Sequence, residues 1–440
     1  MFAFEVSTKD NELTMKRYNP PSCRRFTLHL IILALILLNP VPANAAACPN
    51  PAPELGANYN QYIADIDPGL LARSKVKWVR TFVDIERNYL TFSRDGSISG
   101  ILTSNVSQGS SPVSTPSENL AIYSINHFVN SKSVSVGGNP IKTIVSLKFD
   151  FKYRNSGVPR KNTKQMNDLL WAVAQFLTAN NLGAHIDILV VGNEPMFETP
   201  TDQKDVANFG TFMNLLISEV ASLKSWFPGW NYQIYVGALN KASTLRNDPI
   251  LQQIISITNS NSAVAGLDLH EHVASLQEQA DDLNFIRNTE NVTKPIISTE
   301  FSLVGLWDAH ENDTLGSWGS ANGYASTTRV YEWINDLVNQ AAAGSPISQD
   351  KFLSYFNSQS WYPQNWFQTM YQQFQCYDTY AVTYGLMSPI HVPPILYDKT
   401  SMLWYVNFLY NCTLLGMGAD GYCNASPLLA NDFQNAINGM

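Results

Sequence analysis

Short apolar runs rich in β-branched residues alternate with longer amphipathic segments along most of this chain, and no other feature limits its fold so tightly. Eight runs read as strands: 55–59, 78–83, 142–147, 186–192, 232–237, 266–270, 295–299 and 352–357. Segments 164–180, 206–227, 276–288 and 327–343 place apolar residues at helical spacing between them. Parallel strands need a crossover, usually a helix, so the alternation predicts an α/β fold with a parallel sheet. Eight strand–helix units predict a closed (β/α)8 TIM barrel, one domain over residues 46–440, rather than an open doubly wound sheet. No G-x-G-x-x-G follows the first run and no G-K-[ST] occurs, which removes dinucleotide and P-loop folds. The Ser/Gly/Pro-rich stretch 95–116 reads as a surface loop between the second and third strands. The aromatic-rich segment 364–440 is expected to hold the last βα loop, a closing helix around 402–409 and a disulfide-tied end.

The first fifty residues bear on the compartment. Arg24 and Arg25 precede an uncharged run of 13 residues, 26–38, followed by Pro40, Pro42 and the small residues Ala43-Asn44-Ala45-Ala46-Ala47. That order is the pattern of a secretory signal peptide, and the run falls short of the roughly 20 apolar residues of a spanning helix. Residues 1–45 therefore read as a signal peptide with an extended charged segment, Met15 being an alternative start, and the mature chain as secreted or periplasmic. Cys48 stands where a lipoprotein cysteine would, but the bulky aliphatic residue usual three places upstream is missing. Cys48, Cys376, Cys412 and Cys423 remain after cleavage, an even count that suits two disulfides and allows three pairings. One pairing closes a short loop between Cys412 and Cys423 and ties the N-terminus to Cys376 through Cys48. The sequons at Asn105, Asn291, Asn312, Asn411 and Asn424 matter only in a eukaryotic source. The 395 residues beyond the leader carry 23 Lys/Arg against 33 Asp/Glu, with no basic stripe. Nucleic acid and anionic membranes are poor partners for such a chain, and its many aromatics suit a neutral ligand.

Two strand ends carry chemistry. Val190-Val191-Gly192-Asn193-Glu194-Pro195 stops an apolar run at two polar residues, placing Glu194 at the end of the fourth strand. Pro295-Ile296-Ile297-Ser298-Thr299-Glu300-Phe301 places Glu300 at the end of the seventh. In a barrel these ends share one rim, where catalytic groups from different strands assemble. Cleavage of a glycosidic bond needs such a pair: an acid for the leaving oxygen and a carboxylate across the sugar.

With this strand order, Asn193-Glu194-Pro195 and Ser298-Thr299-Glu300 resemble the clan A retaining glycoside hydrolases. The resemblance implies Glu194 as acid/base, Glu300 as nucleophile and Asn193 as a hydrogen-bond partner of the sugar 2-hydroxyl. It also implies that Arg80 contacts the nucleophile and that His270 lies at the end of strand six. His272 stands where the clan often has a tyrosine that touches the nucleophile. Trp361, following the run taken as strand eight, would lie under the sugar, with Trp366 and Trp307 as further aromatic platforms. The expectation is a retaining O-glycosidase for β-linked poly- or oligosaccharides that needs no cofactor or catalytic metal. His270-Glu271-His272 lacks the helical spacing of a metalloprotease, although two same-facing histidines are able to hold an ion. The rival readings are a transglycosylase using the same pair and a barrel that binds carbohydrate without cleaving it. A serine hydrolase is weaker, because no G-x-S-x-G occurs. The glycan and the oligomeric state are left open.

Overall fold

The computed structural model describes residues 48–60, 62, 65–94, 98–101, 131–390, 394 and 396–439 of the chain. Residues 48–440 form one compact unit. The signal-peptide segment, Asn105 and most of the expected 95–116 loop lie outside the described residues. The described part of that loop departs from expectation: Ile98–Ile101 pairs antiparallel with Leu90–Phe92 as a small hairpin.

Eight strands close a barrel: β1 (Glu54–Asn58), β2 (Trp78–Asp84), β3 (Lys142–Lys148), β4 (Ile188–Val191), β5 (Gln233–Asn240), β6 (Val264–His272), β7 (Ile296–Ser302) and β8 (Thr379–Gly385). All neighbours are parallel, and β1 pairs with β8 to complete the circle. The disulfide Cys48–Cys376 reinforces that seam by tying the approach to β1 to the helix Trp366–Cys376 that feeds β8. Tyr371 Oη donates to Pro53 O at 2.6 Å and Gln375 Nε2 to Asn50 O at 2.8 Å across the same seam. Cys412–Cys423 closes a short loop in the C-terminal extension.

The eighth strand is not where the sequence pattern put it. Segment 352–357 belongs to the helix Gln349–Asn357, which buries Phe352, Tyr355 and Phe356 at helical spacing. Ser348 caps that helix by accepting from Lys351 N, the local signal that decides an otherwise ambiguous short apolar run. The true β8, Thr-Tyr-Ala-Val-Thr-Tyr-Gly, lies further along, and a 3-10 turn at Trp404–Asn407 replaces the expected closing helix. The segment Val206–Trp226 is by length and composition apolar enough to span a membrane. Here its α-helical part, Thr211–Trp226, buries Phe212, Met213, Leu216, Ile217, Val220 and Leu223.

Strand alternation separates two cores. Trp78, Ile144, Ile188, Val190, Tyr235, Ile297 and Ala381 form one cluster inside the barrel. A second, larger cluster fills the space between the sheet and the helices. Nearer the C-terminal ends the interior turns polar, with Arg80, Ser146, Asp268, His270, Thr299 and Thr383 all buried.

Two bulges break the alternation where it matters. Between β6 and β7 the pairing steps from Leu269–Ser298 to His270–Glu300, leaving Thr299 as an extra residue. Between β6 and β5 it steps from Leu267–Val236 to Leu269–Leu239, again with one residue too many on β5. Strict alternation from Ile297 would turn Glu300 outward, and from Tyr235 would turn Asn240 outward. The extra residue reverses both.

After β4 the chain turns at Gly192, which has φ +109° and comes so close to β5 that an added Cβ would lie 2.3 Å from Gly237 O. Gly192→Ala is expected to cost on the order of 2 kcal/mol or more of unfolding free energy. Urea denaturation followed by fluorescence checks this; a wild-type midpoint for the variant would show that the turn accepts a side chain.

Candidate active site

The polar top of the interior gathers six residues that the sequence singled out. Arg80, on β2 and fully buried, is the hub. Its Nη1 donates to Glu300 Oε1 at 2.5 Å, to Asn58 Oδ1 at 3.1 Å and to Asn60 Oδ1 at 3.2 Å. Its Nη2 donates to Asn193 Oδ1 at 2.9 Å and to Ser146 Oγ at 3.1 Å. The guanidinium thus joins groups on or beside four strands other than its own.

Glu194 follows the Gly192 turn in a left-handed conformation, φ 48°, directly before the short helix Pro195–Glu198. Asn240 Nδ2 donates to its Oε1 at 2.8 Å, and His270 Nδ1 lies 3.4 Å from the same oxygen. Asn193 is held at both ends, by Arg80 and by its own Nδ2 donating to Glu198 Oε1 at 3.2 Å. Lys148 pairs with that Glu198 oxygen at 2.8 Å.

Glu300 faces three cationic or donor groups. Besides Arg80, His272 Nε2 lies 3.2 Å from Oε2 and His270 Nε2 lies 3.6 Å from Oε1. His272 therefore sits against the nucleophile candidate, where the resemblance expects a tyrosine. Its other nitrogen, Nδ1, is 2.9 Å from Ser302 Oγ. Asp268, His270 and His272 alternate along β6 toward the interior, while Leu267 and Leu269 belong to the outer core. The imidazole of His270 thus lies between the two carboxylates, one at each ring nitrogen.

Charge follows from this arrangement. Burial pushes the Glu300 carboxyl up, but His270, Arg80 and His272 outweigh it and hold Glu300 well below the usual carboxylate range. Burial also raises Glu194, yet His270, with His272 adding to it, brings Glu194 down to about 2. Burial lowers the His270 pKa, while Glu300 and then Glu194 raise it, with the net effect upward. The favoured proton position in this state is therefore the imidazole, opposite to what a general acid at Glu194 needs before reaction.

Trp361 is not part of this cluster. It lies between the helices Gln349–Asn357 and Trp366–Cys376, stacks on His310 at 4.0 Å and touches Trp307 and Phe356. Trp307 and Trp366 are buried core residues, not platforms. The tryptophan that reaches the site after the true β8 is Trp404, 39 % exposed, its ring edge-on to His272 at 5.1 Å. Trp307 Nε1 donates to Asn407 Oδ1 at 2.7 Å and so anchors the turn that presents Trp404. Sequence reasoning also missed Asn58, Ser146 and Asn240. Of these, Asn58 and Asn240 carried a usable signal, a polar residue closing an apolar strand run as Asn193 does after β4.

Glu194, His270 and His272 are also the one group of three His, Cys, Asp or Glu side chains among the described residues whose ligand atoms converge, all within 4.8 Å of one another.

No protein-family model and no curated protein sequence matches the chain. Several solved structures are similar to it in fold. The endo-beta1,6-glucanase BT3312 matches at 12 % identity and TM-score 0.39, over 82 % of this chain and 72 % of that one. The beta-glycosidase from Thermosphaera aggregans matches at 9 % identity and TM-score 0.40, over 88 % and 95 %. The endo-1,4-beta-mannanase from Rhizomucor miehei matches at 15 % identity and TM-score 0.35, over 60 % and 82 %. Similarity at this level leaves the chemistry to be argued from the site itself.

The depressed carboxylates have a consequence for stability. The ordinary value of both is 4.5, so as pH falls below it the unfolded chain takes up their protons first and folding loses free energy. That contribution is complete above about pH 5 and declines toward pH 2. Glu300→Gln removes one of the two groups, so urea unfolding between about pH 3 and pH 6 should vary less steeply with pH than in wild type. An unchanged slope would contradict the pairing of Glu300 with Arg80 and the histidines.

Proposed function

We propose that the chain is a secreted or periplasmic retaining glycoside hydrolase acting on a β-linked poly- or oligosaccharide. The observation that carries this reading is the carboxylate pair: Glu194 beyond β4 and Glu300 on β7 lie at opposite nitrogens of one imidazole, with Arg80 bound to Glu300 alone of the two. The arrangement is asymmetric, as a two-carboxylate mechanism requires.

Glu300, anionic and aimed by Arg80 and His272, attacks the anomeric carbon as the bond to the leaving oxygen breaks. Glu194 supplies the proton to that oxygen. The proton is stored on His270 in the resting state, and two changes favour its transfer. Negative charge is consumed at Glu300 as the glycosyl ester forms, which weakens the hold on the imidazolium. Negative charge also grows on the leaving oxygen beside Glu194. In the second half Glu194 takes a proton from water, which attacks the same carbon and releases Glu300. Asn193, fixed by Arg80 and Glu198, remains the group for the sugar 2-hydroxyl, and Trp404 replaces Trp361 as the aromatic surface for a sugar face.

A screen of β-linked glycans with wild type, Glu300→Gln and Glu194→Gln tests the reading. Glu300→Gln should abolish turnover of every glycan that wild type hydrolyses. Glu194→Gln should lose about 10²–10⁴-fold on natural glycans and recover much of it with an aryl leaving group that needs no proton. Proton NMR of the first product should show the β anomer. Turnover by Glu300→Gln on all hydrolysed substrates would sink the assignment, and an initial α anomer would make the mechanism inverting.

A further inference from the structure

His270 is almost completely buried, yet its Nδ1 makes no hydrogen bond that meets normal geometry, only the 3.4 Å approach to Glu194 Oε1. A buried ring nitrogen aimed at a carboxylate from that distance calls for an explanation. The ring's other side gives one. Thr299 Oγ1 uses its proton to donate to Asp268 Oδ2 at 2.7 Å, so toward His270 Nε2, 3.1 Å away, it acts as acceptor. Nε2 then carries the hydrogen, and in the neutral ring the Nδ1 lone pair faces Glu194. A histidine backed through its N–H by a hydroxyl and a carboxylate is the arrangement that orients metal-ligating histidines. His272 is backed in the same sense, with Nδ1 2.9 Å from Ser302 Oγ and Nε2 turned to the cleft.

We propose that Glu194 Oε1, His270 Nδ1 and His272 Nε2 form a binding site for a zinc-class divalent cation, which would compete with the sugar for the cleft. Two imidazoles and a carboxylate are the donor set that zinc accepts, with a fourth position left for water. Bonds of roughly 2.0–2.1 Å in a tetrahedron set neighbouring donors about 3.4 Å apart. The Glu194–His270 pair already stands at 3.4 Å, and all three ligand atoms lie within 4.8 Å, so His272 closes the triangle by a small side-chain shift. Charge permits it: Arg80 is near, 3.4 Å from His270 Nε2, but Glu300, Asp268 and Glu194 outnumber it. Ring protons leave as the ion enters. The proposal names a ligand for the catalytic cleft and rests on the hydrolase reading only for its consequence, competition with substrate.

The test measures metal directly, with no sugar present. Chelator-stripped full-length mature protein is dialysed against Zn²⁺, and separately titrated with Co²⁺ as a spectroscopic probe. One ion per chain is expected, with the visible d–d bands of a four-coordinate nitrogen/oxygen site. Glu194→Gln and His272→Tyr should each weaken binding by about tenfold or more. Circular dichroism of the stripped variants establishes that they fold, and if His272→Tyr does not, Glu194→Gln decides. Absence of stoichiometric Zn²⁺, or equal affinity in folded Glu194→Gln, overturns the site. Glycan hydrolysis by the stripped wild type is scored independently, so loss of one reading does not imply loss of the other.

Discussion

The Arg80–Glu300 ion pair is the interaction around which the upper barrel is organised. A fully desolvated guanidinium costs several kcal/mol even after relaxation, and one carboxylate offsets that only when further acceptors complete its shell. Asn58, Asn60, Ser146 and Asn193 supply them. Because these acceptors belong to different strands or the loops just beyond them, satisfying one cation draws the rim inward around a common centre. The polar centre thus has structural and chemical roles at once, and Glu300 inherits a fixed direction from the demands of its partner.

Glu194 lives under different rules. Its support comes from Asn240 and from the imidazole it shares with Glu300, and among the described residues no arginine or lysine pairs with it. Its protonation therefore depends on what happens at Glu300, through His270. The two carboxylates form a coupled system whose proton distribution shifts as charge moves, so the resting state need not match the acting one.

Much of this was readable in the sequence, for physical reasons. Seven of the eight strands follow from short apolar runs set between amphipathic segments, and both glutamates from the polar residues that end two of those runs. Asn193, Arg80 and the two histidines were singled out by the resemblance to the clan A hydrolases. The failure at 352–357 came from a short aromatic run compatible with either helix or strand, and it moved the aromatic expectation to Trp361. Once Ser348 is recognised as a cap, the count passes to 379–385 and Trp404 comes into view. Asn58 closes an apolar run as Asn240 does and was legible to that extent, but Ser146, inside its strand, was not recoverable, since nothing local distinguishes it from an ordinary strand serine. Their importance is created by a guanidinium reaching them from another strand. The low pKa of Glu194 was equally hidden, because it arises from an imidazole far away in sequence.

The bulge at Thr299 carries a lesson about how such a site is inherited. Facing in or out is a binary property of a strand, and one surplus residue inverts it for everything downstream. Glu300 and Asn240 both lie downstream of such an inversion. On β5 and β7 the chemistry at this rim is thus written in a frame offset from the one that builds the barrel beneath it. The same residues paired without the bulge would keep every catalytic side chain in the sequence and turn the nucleophile toward the helices. For this barrel, the spacing between core and site is as much a part of the active site as the carboxylates are.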